Sequence, residues 1–259
     1  MFIFNHIFKY EECEFIIMFS PKKKTDIKSN LPEFRIQKIK NITEQPLHKP
    51  IDEWVSNISE RFKKNTKVEM GEVDLSVLRS ALEYRIEKFK DWENYYGSIF
   101  EDVTGTYAVV DEYGGQFLIE ISNEPLHILT RTTGRPGYSC EQINQHYWLG
   151  PFHDLALANA TAYFWDAFSN EWLGRVNMRW CITDTGKIDI GVDPNIYPAE
   201  VTYNNRRDDE MLLWALYTIL LDAGYFNYKT AETPYIYKGH SDTTLSGGVK
   251  LPYSGIQNF

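Results

Sequence analysis

The chain has 259 residues, 43% hydrophobic and 24% charged, which fits one large globular domain or two small ones. Its net charge of -9 makes most of its surface a poor candidate for binding duplex nucleic acid. Three cysteines, Cys13, Cys140 and Cys181, show no C-x-x-C spacing, so the sequence supports neither a disulfide framework nor a zinc cluster. This cysteine usage is typical of a reducing compartment, and we expect a cytoplasmic protein.

The first 50 residues differ in character from the rest of the chain. Residues 1–17 are apolar but interrupted by charged side chains, which is typical neither of a signal peptide nor of a spanning helix. An upstream extension of the reading frame and a short docking segment are the two interpretations. Residues 21–50 contain eight Lys or Arg, three Asp or Glu and four prolines. We therefore predict that residues 1–50 form an N-terminal extension and a flexible basic arm, with residues 22–40 as candidates for contact with nucleic acid.

Two amphipathic helices are predicted within residues 51–98. The first is indicated by an apolar stripe at helical spacing that consists of Ile51, Trp54, Val55, Ile58 and Phe62. The second is indicated by a stripe that consists of Leu75, Leu78, Leu82, Ile86 and Phe89, with Asp74 as a candidate cap. These helices are expected either to pack on the body that follows or to form a small helical subdomain.

Residues 99–259 are predicted to form an antiparallel body. Aromatic residues make up 15% of the chain, which favours strands. The turn sequence 111–115 predicts a hairpin spanning residues 104–121, and His127 to Thr132 is a candidate for a further strand. Residues 160–193 indicate a three-strand meander. If its first turn is the two-residue Asn170-Glu171, Tyr163 and Trp165 are expected on the apolar face, and Asp166 falls opposite Arg175.

The middle strand of this meander alternates apolar and polar side chains, as expected of a half-buried antiparallel strand. Keeping the apolar residues together predicts a register with Trp180 opposite Ile188. In that register Arg179 lies beside Asp189, and Arg175 has aspartates on both neighbouring strands. Arg175, Asn177 and Arg179 therefore form either an anion-binding face or, as the preferred interpretation, a ladder of cross-strand ion pairs with Asp166, Asp189 and Asp193.

A helix that is apolar almost all round is predicted at residues 209–222. Asp208 or Asp209 can cap its first turn, and Gly224 ends it. Such a helix is expected to be buried across the apolar face of the meander, and it is too short to span a bilayer. The predicted fold class is thus α+β: an aromatic-rich antiparallel sheet covered by this helix, with two amphipathic helices before it and no membrane contact.

Reactive side chains concentrate in the loop from Arg131 to Asp154. Arg131 and Arg135 are candidates for holding an anion, since guanidinium groups bind anions through paired hydrogen bonds. Cys140 with His146 or His153 is a candidate nucleophile and base, and Glu141 is a further candidate catalytic residue. The preferred interpretation of Cys140 is a small buried apolar residue that stays inert. The histidines match no familiar metal spacing, so no metal site is predicted.

Residues 160–235 resemble the core of the acetyltransferase superfamily, in which an antiparallel meander is followed by an apolar helix. The meander here ends in Asp189-Ile-Gly-Val-Asp193 before the helix. The superfamily's glycine-rich pyrophosphate loop corresponds to residues 199–207, which contain no glycine, so backbone amides would not approach a pyrophosphate closely. The resemblance implies a small-molecule transferase, and this departure keeps the chain from being assigned to that superfamily.

Two functions remain as hypotheses from the sequence. The first is a binding or assembly protein that docks on a protein or polyanion through its basic arm and aromatic-rich acidic body, with self-association as one form of docking. The alternative is a small-molecule transferase that uses the loop from Arg131 to Asp154. No cofactor follows from the sequence.

Overall fold

The computed structural model of the chain describes residues 32–41, 50–96, 100–133, 139, 141–143, 145, 148–182, 188–192, 196–197, 206–225, 244–245 and 249–250. The helices are α1 (Ile51–Thr66), α2 (Glu72–Tyr96), α3 (Pro125–Thr130), α4 (Gly150–Ala156) and α5 (Arg206–Asp222). The strands are β1 (Arg35–Lys40), β2 (Gly105–Val110), β3 (Gln116–Ser122), β4 (Ala160–Asp166), β5 (Trp172–Ile182), β6 (Ile188–Val192), β7 (Thr244–Leu245) and β8 (Val249–Lys250). The predicted α+β class with an antiparallel sheet is confirmed.

Strands β1 to β6 form one antiparallel sheet whose strand order follows the chain. Consecutive strands pair throughout, so each connection only has to reverse the chain direction. The β2–β3 turn is held by Asp111, whose Oδ1 accepts hydrogen bonds from the backbone N–H of Tyr113 at 2.9 Å and of Gly115 at 2.8 Å. An aspartate at the start of a turn commonly binds the following backbone in this way.

One face of the sheet is apolar and shares a core with α5. On β3 to β6 this face includes Ile119, Phe164, Met178 and Ile190, and α5 adds apolar residues that include Leu216. The helix is buried on this side because it is apolar over most of its circumference. The rest of this core from α5 consists of Leu212, Ala215, Ile219 and Leu220.

The first four helices share a second apolar core. Helix α1 contributes Ile58 and Phe62, α2 contributes Leu78 and Leu82, and α4 contributes Phe152. These residues have the spacing that the sequence predicts for two amphipathic helices. Asp74, predicted as a cap of α2, accepts a hydrogen bond from the backbone N–H of Gly71 at 2.7 Å, just before the helix begins.

Strand β1 lies inside the segment that the sequence predicts as a flexible arm. It pairs with β2, with Arg35 opposite Val110 and Lys38 opposite Tyr107. Its side chains are exposed except for Ile36, which is partly buried against the core of the sheet. An edge strand is held by hydrogen bonds to one neighbouring strand and needs few apolar side chains. The basic and polar composition of the segment therefore does not indicate a strand there.

Two sequence predictions about local structure are wrong. Residues 125–130, which overlap the candidate strand His127 to Thr132, form helix α3, and Pro125 occupies its first turn. Tyr163 lies opposite Arg175 on the polar face of the sheet rather than on the apolar face. A register shift between Phe164 and Trp165 accompanies this pairing, and a slip of one residue moves every side chain of a strand to the other face.

The predicted register between β5 and β6 is also wrong, by two residues. Trp180 lies opposite Ile190, and Asp189 lies opposite Cys181 rather than beside Arg179. A shift of two residues keeps the apolar face whole, which is why alternation alone does not distinguish the two registers. In the part of the chain that the structure describes, no helix is long and apolar enough to cross a membrane.

Candidate functional site

Two groups of candidate residues that are far apart in the sequence meet in one buried cluster. Arg131 follows α3, Glu141 lies in the loop after it, and Asp154 lies in α4. Arg175 and Arg179 face them from β5. We call these five residues the ionic cluster, and all but Arg179 are buried.

Glu141 joins two of the arginines. Its Oε2 lies 3.1 Å from Nη2 of Arg131 and 3.1 Å from Nη2 of Arg175. The position of its loop is supported by Thr132, whose hydroxyl donates to the backbone carbonyl of Glu141 at 3.2 Å. One carboxylate oxygen thus connects the end of α3 to β5.

Asp154 joins Arg131 to Arg179. Its Oδ2 lies 2.7 Å from Nη2 of Arg131, and its Oδ1 lies 3.5 Å from Nε of Arg179. The side-chain amide of Asn159 donates to the same Oδ1 at 2.8 Å. Burial by itself would raise the pKa of Asp154, but the charges of Arg131 and Arg179 hold it well below its usual range. This carboxylate is therefore ionised at neutral pH.

Arg131 is fully enclosed, with none of its surface exposed. Burial would lower the pKa of its guanidinium, but Glu141 and Asp154 raise it overall, so the group stays charged. In the described part of the chain, its Nε and Nη1 atoms make no hydrogen bond. Its stabilisation therefore comes from the two carboxylates at Nη2, and removing either one would leave a buried charge poorly compensated.

Arg175 has partners on several sides. Its Nη1 donates to Oδ1 of Asn177 at 2.6 Å, and its Nη2 donates to the hydroxyl of Ser139 at 3.3 Å. Its guanidinium carbon lies 5.2 Å from the ring centroid of Tyr197. Arg175 and Arg179 have carboxylate partners on α4 and the loop before it, namely Glu141 and Asp154. The ladder with Asp166, Asp189 and Asp193 stays a prediction, and Asp193 lies outside the described residues.

His153 lies beside the ionic cluster and is also buried. Its Nδ1 is 3.8 Å from Oδ1 of Asp154. Burial lowers the pKa of His153, and the nearby Arg179 and Arg131 lower it further, which outweighs the effect of Asp154. The ring is therefore neutral at neutral pH.

The structure brings together Arg131, Glu141, His153, Arg175 and Arg179 from the candidate site residues. The remaining candidates, Arg135, Cys140 and His146, lie outside the described residues. Sequence reasoning did not single out Asp154 as a central residue or Asn159 as its partner. The two arginines on one strand face indicated that carboxylates lie nearby, because a charge that becomes buried needs a partner, but they did not indicate which element supplies it.

The arrangement is suited to holding elements together rather than to reacting with a substrate. Every charged group described in it either contacts an oppositely charged group or is enclosed by protein. Among the described residues, Phe62, Leu129 and Trp148 line a narrow recess beside Glu141.

A smaller polar group surrounds His127 on the same face of the sheet. Its Nδ1 lies 2.8 Å from the hydroxyl of Ser122 and 3.4 Å from Oε1 of Glu120, while its Nε2 lies 3.5 Å from Oε2 of Glu124. The hydroxyl of Tyr163 donates to the backbone carbonyl of His127. The two carboxylates approach opposite sides of the ring. Among the residues described, no three His, Cys, Asp or Glu side chains are placed to hold a metal ion.

The first described part of the basic arm forms a third candidate site. Strand β1 is the edge of the sheet, and it carries Arg35, Lys38 and Lys40 on its exposed surface. Lys38 lies over the ring of Tyr107, 5.6 Å from the ring centroid, which holds its aliphatic stem against the sheet. Ile39, 53% exposed, adds an apolar contact surface between the lysines. Comparison with protein-family models, with curated proteins and with solved structures gave no match, so these sites are interpreted from their geometry.

Proposed function

We propose that the chain is a binding or assembly protein that docks on an acidic protein segment along the basic edge strand β1. The observation that carries this proposal is the position of β1. It is the first strand of the sheet, and in the described part of the chain its outer side faces no other strand. An exposed strand edge presents backbone donors and acceptors that a partner strand can use.

Charge determines which partner suits this edge. Arg35, Lys38 and Lys40 are all exposed, and β1 contains no acidic residue. A second copy of β1 would be repelled, because antiparallel self-pairing sets Arg35 opposite Lys40 and like charges directly opposite destabilise a sheet. A partner strand with alternating carboxylates would gain both backbone hydrogen bonds and ion pairs.

The burial of the ionic cluster supports docking over the alternative of a transferase. A transferase that uses the loop from Arg131 to Asp154 would need its arginines to meet a substrate. Arg131 and Arg175 are instead enclosed and paired with Glu141. Paired buried charges of this kind hold two elements in register.

The test measures the affinity of the full chain for a labelled peptide of alternating valine and glutamate. We expect replacement of Arg35, Lys38 and Lys40 by glutamine to weaken binding by about tenfold or more, because the partner's carboxylates lose their cations on whichever face of β1 they occupy. The matched control replaces Lys63, Lys64 and Lys67, three exposed lysines at the end of α1 and its cap. Equal losses in the two triple variants would mean that only net charge matters and would refute docking along β1.

Two further probes distinguish the partner class. Polyglutamate and single-stranded oligothymidylate carry negative charge without the alternating valines of a strand. If β1 pairs with a partner strand, the alternating peptide should bind more tightly than either. Tighter binding of the oligonucleotide would instead support the hypothesis that residues 22–40 contact nucleic acid.

A further inference from the structure

Two turns at one end of the sheet each expose a large aromatic side chain. Tyr113, in the β2–β3 turn, is 72% exposed, and Phe168, in the β4–β5 turn, is 78% exposed. The turns are neighbours, because Phe117 lies opposite Asp166 and the backbone N–H of Ala167 donates to the carbonyl of Gln116 at 3.3 Å. We call these two turns, residues 111–115 and 167–171, the aromatic end of the sheet.

Both turns are held by the same hydrogen-bond arrangement. Asp111 accepts a hydrogen bond from the backbone N–H of Tyr113, two residues later, and Asp166 accepts one from the backbone N–H of Phe168 at 3.0 Å, also two residues later. Ser169 adds hydrogen bonds to Asp166 from its backbone N–H at 2.7 Å and from its hydroxyl at 2.9 Å. Each aromatic side chain therefore extends from a turn whose backbone is already held by hydrogen bonds. This lowers the conformational entropy lost when the side chain binds a ligand.

The aromatic end is acidic as well as apolar. Residues 111–115 and 167–171 include Asp111, Glu112 and Glu171 and no Lys or Arg, and Asp166 precedes the second turn. Hydrogen bonds from the backbone and hydroxyl of Ser169, followed by the backbone of Phe168, lower the pKa of Asp166, so it stays negative. Exposed aromatic faces together with carboxylates suit a cationic ligand.

The basic arm approaches the sheet at this same end. Arg35 lies opposite Val110, and Val110 lies opposite Gln116, so β1 begins where the β2–β3 turn lies. The described chain therefore begins, at Pro32, near the aromatic end. Its nearest lysines in the sequence are Lys28 and then Lys24, Lys23 and Lys22.

The tether is long enough for these lysines to reach both turns. The centre of the β4–β5 turn is about 17 Å from β1, from a spacing of about 4.8 Å between strands. The eight residue-to-residue steps from Lys24 to Pro32 span up to about 27 Å when extended. A short tether of this kind gives an effective concentration in the millimolar range, well above that of a free partner.

From this placement we propose that residues 22–28 of the chain dock on the aromatic end of their own sheet, with lysines against Tyr113 and Phe168. Charge complementarity and the point where the arm meets the sheet identify the occupant. The contact goes beyond docking along β1, because it uses a different part of the arm and a different surface of the body.

Photo-crosslinking of the full chain tests the contact. A benzophenone side chain replaces Thr25, which keeps all four lysines, and the cross-linked peptides are identified by mass spectrometry. We expect cross-links within one chain to residues 111–115 and 167–171. The double variant Tyr113→Ser and Phe168→Ser should lower their yield by about fivefold or more, because it removes both aromatic faces. Val73→Ser, which alters a residue on α2 that is 65% exposed, is the matched control and should leave the yield unchanged.

Three outcomes would refute the proposal. They are cross-links within one chain to other parts of the body, yields that do not respond to the double variant, and cross-links only between two chains, which would identify a second copy as the occupant. Melting curves verify that the double variant remains folded, which we expect because the turns are held by Asp111 and Asp166 rather than by the aromatic rings.

Binding of the alternating valine–glutamate peptide tests docking along β1 separately from the contact at the aromatic end. If neither the unaltered chain nor the double variant binds that peptide, docking along β1 is refuted. The cross-links still show whether residues 22–28 contact the aromatic end. If the peptide binds but the cross-links are absent, the contact fails while docking along β1 stands.

Discussion

At the scale of single residues, the ionic cluster stabilises the fold by satisfying charges that water cannot reach. Arg131 is the common member, since both Glu141 and Asp154 contact its Nη2. A buried ion pair adds little stability compared with apolar residues of the same shape, but removing one partner is costly. Variants of this cluster therefore test its role in the fold directly.

Arg131→Ala should lower the free energy of unfolding by about 3–5 kcal/mol, because it leaves two buried carboxylates without their shared cation. The control is Arg79→Ala, which breaks an exposed pair with Asp52 and should cost about 1 kcal/mol or less. Both values are measured by denaturant unfolding. Similar losses in the two variants would show that the charges around Arg131 are hydrated rather than buried.

His153 should make the protein less stable as the pH falls below about 6.5, the ordinary value for histidine. Its pKa is lowered in the folded protein, so the unfolded chain takes up the proton first and unfolding is favoured at lower pH. Asp154 does not contribute in this range, because both its ordinary pKa of about 3.9 and its lowered pKa in the folded protein lie below it. Melting temperatures measured from about pH 8 to about pH 5 should fall less steeply for His153→Gln than for the unaltered chain. Parallel slopes would contradict a neutral buried ring.

At the scale of elements, glycine allows β5 to pass close to its neighbour. Gly174 has φ +142°, and a Cβ there would lie 2.5 Å from Cγ2 of Ile196 and 3.0 Å from the carbonyl oxygen of Tyr197. The backbone of Arg175 pairs with Tyr197 at this point. The close approach holds residues 196–197 beside the strand that carries the arginines of the ionic cluster.

Gly174→Ala should destabilise the protein by about 2–5 kcal/mol, since it combines backbone strain with a steric clash. The control variant Gly114→Ala separates the backbone strain from the steric clash. Gly114 also has a positive φ, +86°, but a Cβ there would meet nothing within 4 Å, so we expect a loss of about 1–2 kcal/mol from strain alone. Thermal unfolding of both variants provides the comparison, and an equal loss would refute the close approach at Gly174.

At the scale of the whole molecule, two apolar cores lie in different parts of the fold. One contains the apolar face of the sheet and α5, and the other contains α1 to α4. The ionic cluster connects them, and Arg85 of α2 adds a hydrogen bond from its Nη1 to the carbonyl of Asn123 at 3.0 Å. The division of the chain into 51–98 and 99–259 remains a prediction, although the second core draws on residues from both sides of it.

Leu82→Ala should lower the stability of both cores together by about 2–5 kcal/mol, because Leu82 is fully buried and the cluster connects the two cores. Hydrogen exchange at each amide is the measurement. Protection should fall by the same free energy in β3 to β5 as in α2 if the protein unfolds as one unit. A loss confined to α1 and α2 would instead support a separate helical domain at residues 51–98.

The sequence by itself determined the features that depend on local periodicity. Helices α1 and α2 repeat apolar residues along one face, α5 is a continuous apolar stretch of helical length, and the middle strand of the meander alternates apolar and polar residues. Side chains a few residues apart set these patterns, so no knowledge of distant contacts is required. The α+β class follows from them.

Only the tertiary structure decided which polar residues meet. Arg175 and Arg179 lay on the expected strand face, but Glu141 and Asp154 contact them from distant segments. The placement of β4 also required tertiary information, because shifting its register by one residue turns Tyr163 from the apolar to the polar face. Cross-strand pairing and ion pairs between distant elements depend on the path of the connecting loops, and that path leaves no periodic pattern in the sequence.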